Sequence, residues 1–213
     1  MKLPDLPRMV AMLLLGLAAA PAFALDLPEL MTLLAQRRSG EARFVEQRFV
    51  SVLERTLQYS GTLSFSAPDR LARRTLTPRP ESFEVQDNQL TLERGGRTRQ
   101  MALDAQPELA AMVAAMRGTL SGDASALQRH FKPTVGGTRA QWSLTLVPLE
   151  HRLLGVVREV RIEGRQSELH TVQVQLADGD RSVMTIEPLP AGASATGPST
   201  AGPAAPALRA SAP

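Results

Sequence analysis

Hydrophobic and polar residues alternate along most of the chain, and this pattern predicts an antiparallel sheet. The clearest example is Leu57–Phe65, where Leu57, Tyr59, Leu63 and Phe65 point to one side and serines, Thr62 and Gln58 to the other. Gly61 interrupts the apolar side, which indicates a bend or a close approach of backbone at that point. Strands with one apolar and one polar face are typical of a sheet that has one side in water.

The same period of two recurs, with turn residues between the segments, and predicts about 10–11 strands. Asp87-Asn88, Gly95-Gly96 and Asp178-Gly179-Asp180 are the clearest hairpin turns. In Glu41–Val52 the alternation is imperfect, and the pattern does not say which residues face inward. The predicted strands are Glu41–Val52, Leu57–Phe65, Arg70–Thr77, Glu81–Gln86, Gln89–Arg94, Arg97–Leu103, Phe131–Val135, Ala140–Val147, Val156–Glu163, Glu168–Leu176 and Arg181–Glu187.

One long helical pattern lies in the middle of the chain, at Pro107–Leu120. Apolar residues recur there at steps of three and four and so share one face; they are Leu109, Met112, Val113, Met116 and Leu120. Pro107 suits the first helical position and Gly122 a C-terminal stop. Shorter helices are predicted at Asp26–Arg38 and, capped by Asp123, at Ala124–His130.

Together these elements predict an α+β fold. A single antiparallel sheet of this size curves strongly, and its apolar face needs a cover. We therefore expect an incomplete β-barrel covered by about three helices, the central one lying against the apolar face of the sheet. Whether that contact forms a sealed core or an openable pocket decides the function.

Both ends of the 213-residue chain differ from this pattern. Residues 1–24 combine Lys2 and Arg8 with an apolar run and a small-residue cleavage site at Ala22-Phe23-Ala24, which predicts a cleaved secretory signal peptide. Residues 189–213 are mostly Ala, Pro, Gly, Ser and Thr, a composition that predicts a disordered tail. The domain itself is expected to span residues 25–188.

Export and the lack of cysteine set the expected compartment. The chain has no Cys, so no disulfide framework supports the domain, and the bacterial periplasm is the expected location. The formal charge is +3, with 24 basic residues of which only Lys2 and Lys132 are lysines. The arginines are scattered and aromatic residues make up 4% of the chain, so no nucleic-acid partner is expected.

Catalytic and metal-binding patterns are missing from the sequence. It contains no nucleophile elbow, no phosphate-binding glycine loop and no metal-ligand spacing, and its three histidines lie about twenty residues apart. We therefore predict no catalytic residue, no metal site and no cofactor, and expect a protein that is not an enzyme. Arg70, Arg73, Arg74 and Arg79 could meet anionic lipid headgroups, although a solvated strand face is the favoured interpretation.

Several segments in order resemble the periplasmic outer-membrane lipoprotein carriers, the LolA-like family. They are Phe44–Arg48, Ser60–Phe65, Pro68–Leu71, Leu120–Asp123, Trp142–Pro148 and Asp178–Asp180. The resemblance spans residues 27–188 and is to a divergent, LolA-related branch. Two positions depart from the typical pattern: Ala67 stands where carriers have an Arg, and Arg73-Arg74 stand where they have a Trp.

The resemblance implies a helical lid over an apolar cavity in an incomplete barrel. It also implies a periplasmic carrier or chaperone that binds the acyl part of lipoproteins, or another acylated lipid, and shuttles it toward the outer membrane. An inner-membrane donor complex and an outer-membrane acceptor would be its partners, and a monomer is expected. The predicted cargo-binding residues are Leu57, Tyr59, Leu63, Phe65, Phe83, Val85, Leu109, Met112, Val113, Met116, Trp142, Leu144 and Leu146.

Three alternatives remain open from the sequence. The same residues could form an ordinary dry core. The domain could instead be a periplasmic lipid or lipoprotein sensor that docks to a membrane partner, although a second docking domain is not evident. An enzyme on a similar scaffold is a third interpretation, which no group of polar residues supports.

Overall fold

The computed structural model describes residues 24–190, which form an 11-stranded antiparallel sheet with helices on one side. This confirms the predicted fold class. The predicted signal peptide and tail fall almost wholly on residues 1–23 and 191–213, which lie outside the described residues. The strands are β1 (Ser39–Val50), β2 (Arg55–Ser66), β3 (Arg70–Thr77), β4 (Glu81–Gln86), β5 (Gln89–Arg94), β6 (Arg97–Ala102), β7 (Phe131–Thr138), β8 (Gln141–Pro148), β9 (Val157–Arg165), β10 (Glu168–Leu176) and β11 (Arg181–Pro188).

The strand order shows how the chain arranges this sheet. It runs β6-β5-β4-β3-β2-β1-β11-β10-β9-β8-β7, so the first and last strands pair at the centre. Strands β6 and β7 are the two edges, and the sheet is not closed into a barrel. The chain between these edges, residues 103–130, contains the two helices that follow β6, and so the helical connection runs from one edge of the curved sheet to the other.

Four α-helices are present among the described residues: α1 (Leu27–Leu34), α2 (Pro107–Ser121), α3 (Ala124–His130) and α4 (His151–Leu154). Asp26 caps α1 and Asp123 caps α3, each accepting a hydrogen bond from a backbone N–H three residues later. The helix α1 ends four residues before the predicted Arg38, and Gly40 belongs to β1. The helix α4 lies in a segment that the sequence pattern left as a connector. None of these helices is long and apolar enough to cross a membrane.

Two glycines allow close approaches that larger residues would prevent. A Cβ at Gly61 would clash with the carbonyl oxygen of Arg74 on β3, where the register between β2 and β3 shifts. This confirms the close approach predicted from the interrupted apolar face. Gly122 ends α2 with φ +72°, and a Cβ there would clash with the Met31 carbonyl of α1.

The apolar interior is divided into two cores. The main core contains residues from α1, α3 and strands β8–β10, and Trp142, Leu144, Leu146 and Ile162 are almost completely buried in it. The small core is formed by Val85, Leu90, Leu103 and Val113. The helix α2 contributes to both, with Ala111 and Ala115 in the main core and Val113 in the small one.

Candidate functional site

An apolar cavity of about 310 Å³ lies between the two cores. Helices α1 and α2 bound it on one side, through Leu34, Met116 and Leu120, and the middle strands of the sheet bound it on the other. Because β1 pairs with β11, strands from both ends of the chain meet at its floor. The lining residues of the sheet are mostly apolar and include Ala42, Leu63, Phe65, Leu71, Phe83, Leu169, Val172, Met184 and Ile186.

An ion pair stands where the cavity reaches the surface. Arg37, between α1 and β1, lines the cavity and donates from Nη1 to Oε1 of Glu168 at 3.1 Å. Ser167, next to Glu168, and the exposed Glu41 also line it. Both partners of this pair are partly exposed, so the contact is weak and can open at little cost.

A second hollow, of about 860 Å³, adjoins the cavity. Arg73 and Phe83 line both spaces, and the hollow extends from them toward the β5–β6 hairpin. Its lining is polar and rich in arginine: Arg48, Tyr59, Arg73, Thr75, Glu81, Ser82, Phe83, Leu92, Glu93, Arg94, Arg97 and Arg99.

Glu46 of β1 organises the inner end of this hollow. It is only 2% exposed, and Oε2 accepts a hydrogen bond of 2.6 Å from Nη2 of Arg73. Nη2 of Arg48 lies 3.5 Å from the other carboxylate oxygen. The guanidinium of Arg73 also stacks over the Phe44 ring, 4.6 Å from its centroid. A buried carboxylate is therefore held between two arginines on the concave face of the sheet.

The sequence of the chain matches the family model of outer membrane lipoprotein carrier protein LolA-like proteins over residues 18–208. This match spans most of the 213 residues. The chain belongs to this LolA-like family. A comparison with curated proteins finds no match.

Solved structures with low sequence identity also resemble the LolA-like domain. A LolA superfamily protein from Nitrosomonas europaea is 8% identical, with TM-score 0.40 over 77% of this chain and 92% of that one. A chain of the Pseudomonas aeruginosa MucA/MucB complex is 15% identical, with TM-score 0.42 over 79% and 59%. A DUF1329 family protein from Desulfovibrio piger is 9% identical, with TM-score 0.41 over 76% and 89%.

The predicted cargo-binding residues of the LolA-like domain fall into three places. Leu63, Phe65, Phe83 and Met116 line the apolar cavity. Tyr59 lines the polar hollow. Leu57, two residues earlier in β2, is half-buried and lies opposite Arg48. The rest pack in the two cores: Val85, Leu109 and Val113 in the small core, and Met112, Trp142, Leu144 and Leu146 in the main core. Trp142 donates its indole N–H to the Gln166 carbonyl oxygen at 2.9 Å.

The apolar stripe predicted on α2 lies across the boundary between the cores. Leu109 and Val113 pack on one side of the boundary and Met112 and Met116 on the other. Residues at the C-terminal part of the stripe, Met116 and Leu120, line the cavity. The stripe therefore points toward the middle of the sheet, where the two cores leave a gap.

Other cavity residues were not among those predicted. The period-two pattern marks Val172, Met184 and Ile186 as inward, but nothing in the sequence places β11 next to β1, and so they were not assigned to the site. Leu71 could have been found, because it lies opposite Phe65 in the β2–β3 hairpin. Glu46 and Arg73 gave only the weak signal of polar residues in otherwise apolar positions.

Arg117 links the C-terminal half of α2 to two hairpins. Its Nη1 donates to the Asp87 carbonyl oxygen at 2.9 Å, and burial lowers the pKa of the guanidinium. A hydrogen bond with Asp69, in the neighbouring turn, raises the pKa of Asp87. Among residues 24–190, Nε and Nη2 of Arg117 are buried without a hydrogen-bond partner. This hydrogen bond joins the helix that bounds the cavity to the β4–β5 hairpin, in addition to the packing of the helix in the two cores.

The histidines and acidic side chains do not gather into a metal site. In the part of the chain that the structure describes, no three His, Asp or Glu side chains lie close enough to hold a metal ion. His130 Nδ1 lies 2.8 Å from Oε1 of Glu150, and His170 lies near Glu168.

Proposed function

We propose that this protein is a periplasmic carrier that binds the acyl part of a lipoprotein, or of another acylated lipid, in the apolar cavity and shuttles it toward the outer membrane. Its membership of the LolA-like family supports this function. The observation that carries it is the cavity between α2 and the central strands, since an ordinary dry core would fill that space.

The size of the cavity suits a hydrocarbon segment. Ligand pockets usually measure about 300–1,000 Å³, and an engineered apolar cavity of about 150 Å³ takes up benzene. A cavity of about 310 Å³ therefore accepts part of an acyl chain as it stands. Further movement of α2, whose Met116 side chain is adaptable, would enlarge it.

Moderate affinity is consistent with a cargo that must be released. Each buried methylene contributes about 0.8 kcal/mol, whereas association costs roughly 4–15 kcal/mol. A chain segment of a few methylenes thus binds reversibly. An inner-membrane donor and an outer-membrane acceptor would load and unload the carrier.

A cavity-filling substitution tests this function. Ala42 lines the cavity, so Ala42→Trp should remove the space and the lipid that co-purifies with the protein, as measured by mass spectrometry. Val45→Trp, on the same strand with a side chain 42% exposed, is the matched control and should retain the lipid. Far-UV circular dichroism and the melting temperature show whether each variant folds, and Ala42→Phe is a smaller replacement if Ala42→Trp does not.

Transport is measured separately from binding. The wild-type protein and Val45→Trp should accelerate the movement of an acylated lipid from donor to acceptor vesicles, and Ala42→Trp should not. A folded Ala42→Trp protein that carries and transfers as much lipid as the wild type would refute the proposed function.

A further inference from the structure

The concave face of strands β2–β6 changes from apolar to basic along the strand direction. Three cross-strand rows, each read from β2 to β6, define this change through their pairing register. The first row is wholly apolar: Phe65, Leu71, Val85, Leu90 and Met101. The second is mixed: Leu63, Arg73, Phe83, Leu92 and Arg99. The third is polar: Gly61, Thr75, Glu81, Arg94 and Arg97.

The polar end of this face carries an excess of positive charge. The hollow is lined by five arginines and two glutamates. Arg48 and Arg73 share Glu46, and Arg94 lies 3.8 Å from Glu81. For Arg97 and Arg99, no acidic side chain among residues 24–190 lies within ion-pair distance.

Protection of the sheet edge does not by itself explain why Arg97 and Arg99 share one face. Charges on an edge strand such as β6 prevent pairing with other chains, and they can do so on either face. Here both arginines lie on the concave face, while Thr98 and Gln100 occupy the other. Arg97 is directly opposite Arg94, an arrangement of like charges that destabilises a strand pair. An anion in the hollow would relieve this repulsion.

The hollow and the apolar cavity adjoin each other. Arg73 and Phe83 line both, so a molecule could extend from one space into the other without leaving the concave face. Guanidinium groups bind phosphate oxygens through paired hydrogen bonds, and arginine is well suited to this because it is always charged. An apolar chain and an anionic head on one molecule match the two spaces.

We propose that the arginine hollow binds the phosphate-bearing headgroup of an anionic lipid whose acyl chain occupies the adjoining cavity. This inference rests on the proposed function, since it assigns the cavity to an acyl chain, and it adds the class of headgroup. Arg97 and Arg99 are the principal ligands for the headgroup, and Arg73 stands at the junction between head and chain.

Isothermal titration calorimetry with the purified protein tests the proposal. The probes are myristoyl lysophosphatidylglycerol, which is anionic, myristoyl lysophosphatidylcholine, which has the same chain but is zwitterionic, and inorganic phosphate. We expect the wild type to prefer the anionic lipid by about tenfold or more, because hydrogen bonds to charged groups are strong. This preference should decrease as salt screens the arginines.

Two double variants of equal charge localise the effect. Arg97→Gln/Arg99→Gln should abolish the preference for the anionic lipid, with a smaller loss of affinity for the zwitterionic lipid, because the choline cation already offsets the charge of its phosphate. Arg43→Gln/Arg74→Gln removes two exposed arginines from the opposite face of the same sheet and should behave as the wild type. Neither pair lies in a core, so both variants should fold, and circular dichroism checks this.

The possible outcomes separate the headgroup site from the proposed function. Equal affinity of the wild type for both lipids, or equal losses in the two double variants, would overturn the headgroup site and leave the acyl cavity intact. Inorganic phosphate that binds as tightly as the anionic lipid would also overturn it, since the acyl chain would then contribute nothing. If neither lipid binds, the cavity assignment fails as well.

Discussion

The two halves of the sheet are covered to very different extents. Around β8–β10, the helices α1, α3 and α4 seal the concave face, and sixteen residues of the main core are buried. Around β4–β6 the small core has four buried residues, and the same concave face continues into the open arginine hollow. One continuous sheet thus has a thoroughly covered end and a sparsely covered end.

The helix α2 accounts for the boundary between the halves. Its small residues Ala111 and Ala115 pack closely into the main core, whereas Val113 is the one buried residue that it contributes to the small core. The cavity lies where neither core fills the space beneath Met116 and Leu120. We therefore expect most of the stability of the domain to come from one half and its ligand specificity from the other.

Matched leucine substitutions provide the largest expected contrast. Leu144 and Leu90 are both 0% exposed, the first in the main core and the second in the small core. Leu144→Ala should destabilise the protein by about 3–5 kcal/mol and Leu90→Ala by about 2–3 kcal/mol, because a site near an open surface relaxes more easily around the lost volume. Urea unfolding measures both, and a larger loss for Leu90→Ala would contradict the comparison.

The buried ion pair of the open half should show the next largest effect. Arg73→Leu leaves Glu46 buried with only the longer contact to Arg48, and we expect a loss of about 3 kcal/mol. Glu46→Leu/Arg73→Leu removes both charges and should recover most of this loss. Chemical denaturation of the two variants and the wild type tests the cycle; a double variant no more stable than Arg73→Leu would show that packing, and not charge, dominates here.

The smallest effects are pH dependences of opposite sign in the two halves. In the β10–β11 hairpin, hydrogen bonds from the Ser51 backbone N–H and hydroxyl lower the pKa of Asp180. Its stabilising contribution is present above the ordinary pKa of 3.8 and is lost as the pH falls through the lowered value. In the β4–β5 hairpin, the hydrogen bond with Asp69 raises the pKa of Asp87. The stabilising contribution of the Asp87 carboxyl group to the folded state is therefore present in acid and is lost as the pH rises through the raised value.

Two asparagine variants test these signs through melting temperatures. Asp180→Asn should lower the melting temperature at neutral pH and match the wild type in strong acid. Asp87→Asn should raise it slightly at neutral pH, because it removes repulsion with Asp69, and Asn tolerates the positive φ of 52° found there. Arg117 partly offsets that repulsion. A fall in the melting temperature of Asp87→Asn at neutral pH would contradict the assigned sign.

Local pattern predicted most of the secondary structure. Strands β3, β4, β5 and β10 and helix α3 begin and end where the alternation and the turn residues indicate. Gly61 was found because a missing side chain at a regular position is a local signal, and Gly122 because a glycine just after a helical pattern is typical of a helix end. The helix α1 was overestimated, because its last predicted turn is a connection to β1 that only the position of the sheet determines.

The candidate site was only partly predictable. The imperfect alternation of Glu41–Val52 has its cause in Glu46, which occupies an inward position and is paired with an arginine from another strand. Such polar residues on an apolar face break the local pattern where a site lies. Arg73 was assigned, together with Arg70, Arg74 and Arg79, to a solvated strand face, because its partner Glu46 lies 27 positions earlier in the chain and gives no local signal.

The sequence by itself determined the antiparallel strands, their apolar faces, the central helix and the LolA-like resemblance, because each depends on neighbouring residues or on motifs in order. Only the tertiary structure decided that β1 pairs with β11, that α2 divides the interior into two cores, and that an apolar cavity adjoins an arginine hollow. These features arise from contacts between residues far apart in the chain, and the period of a single strand carries no information about which distant strand will lie beside it.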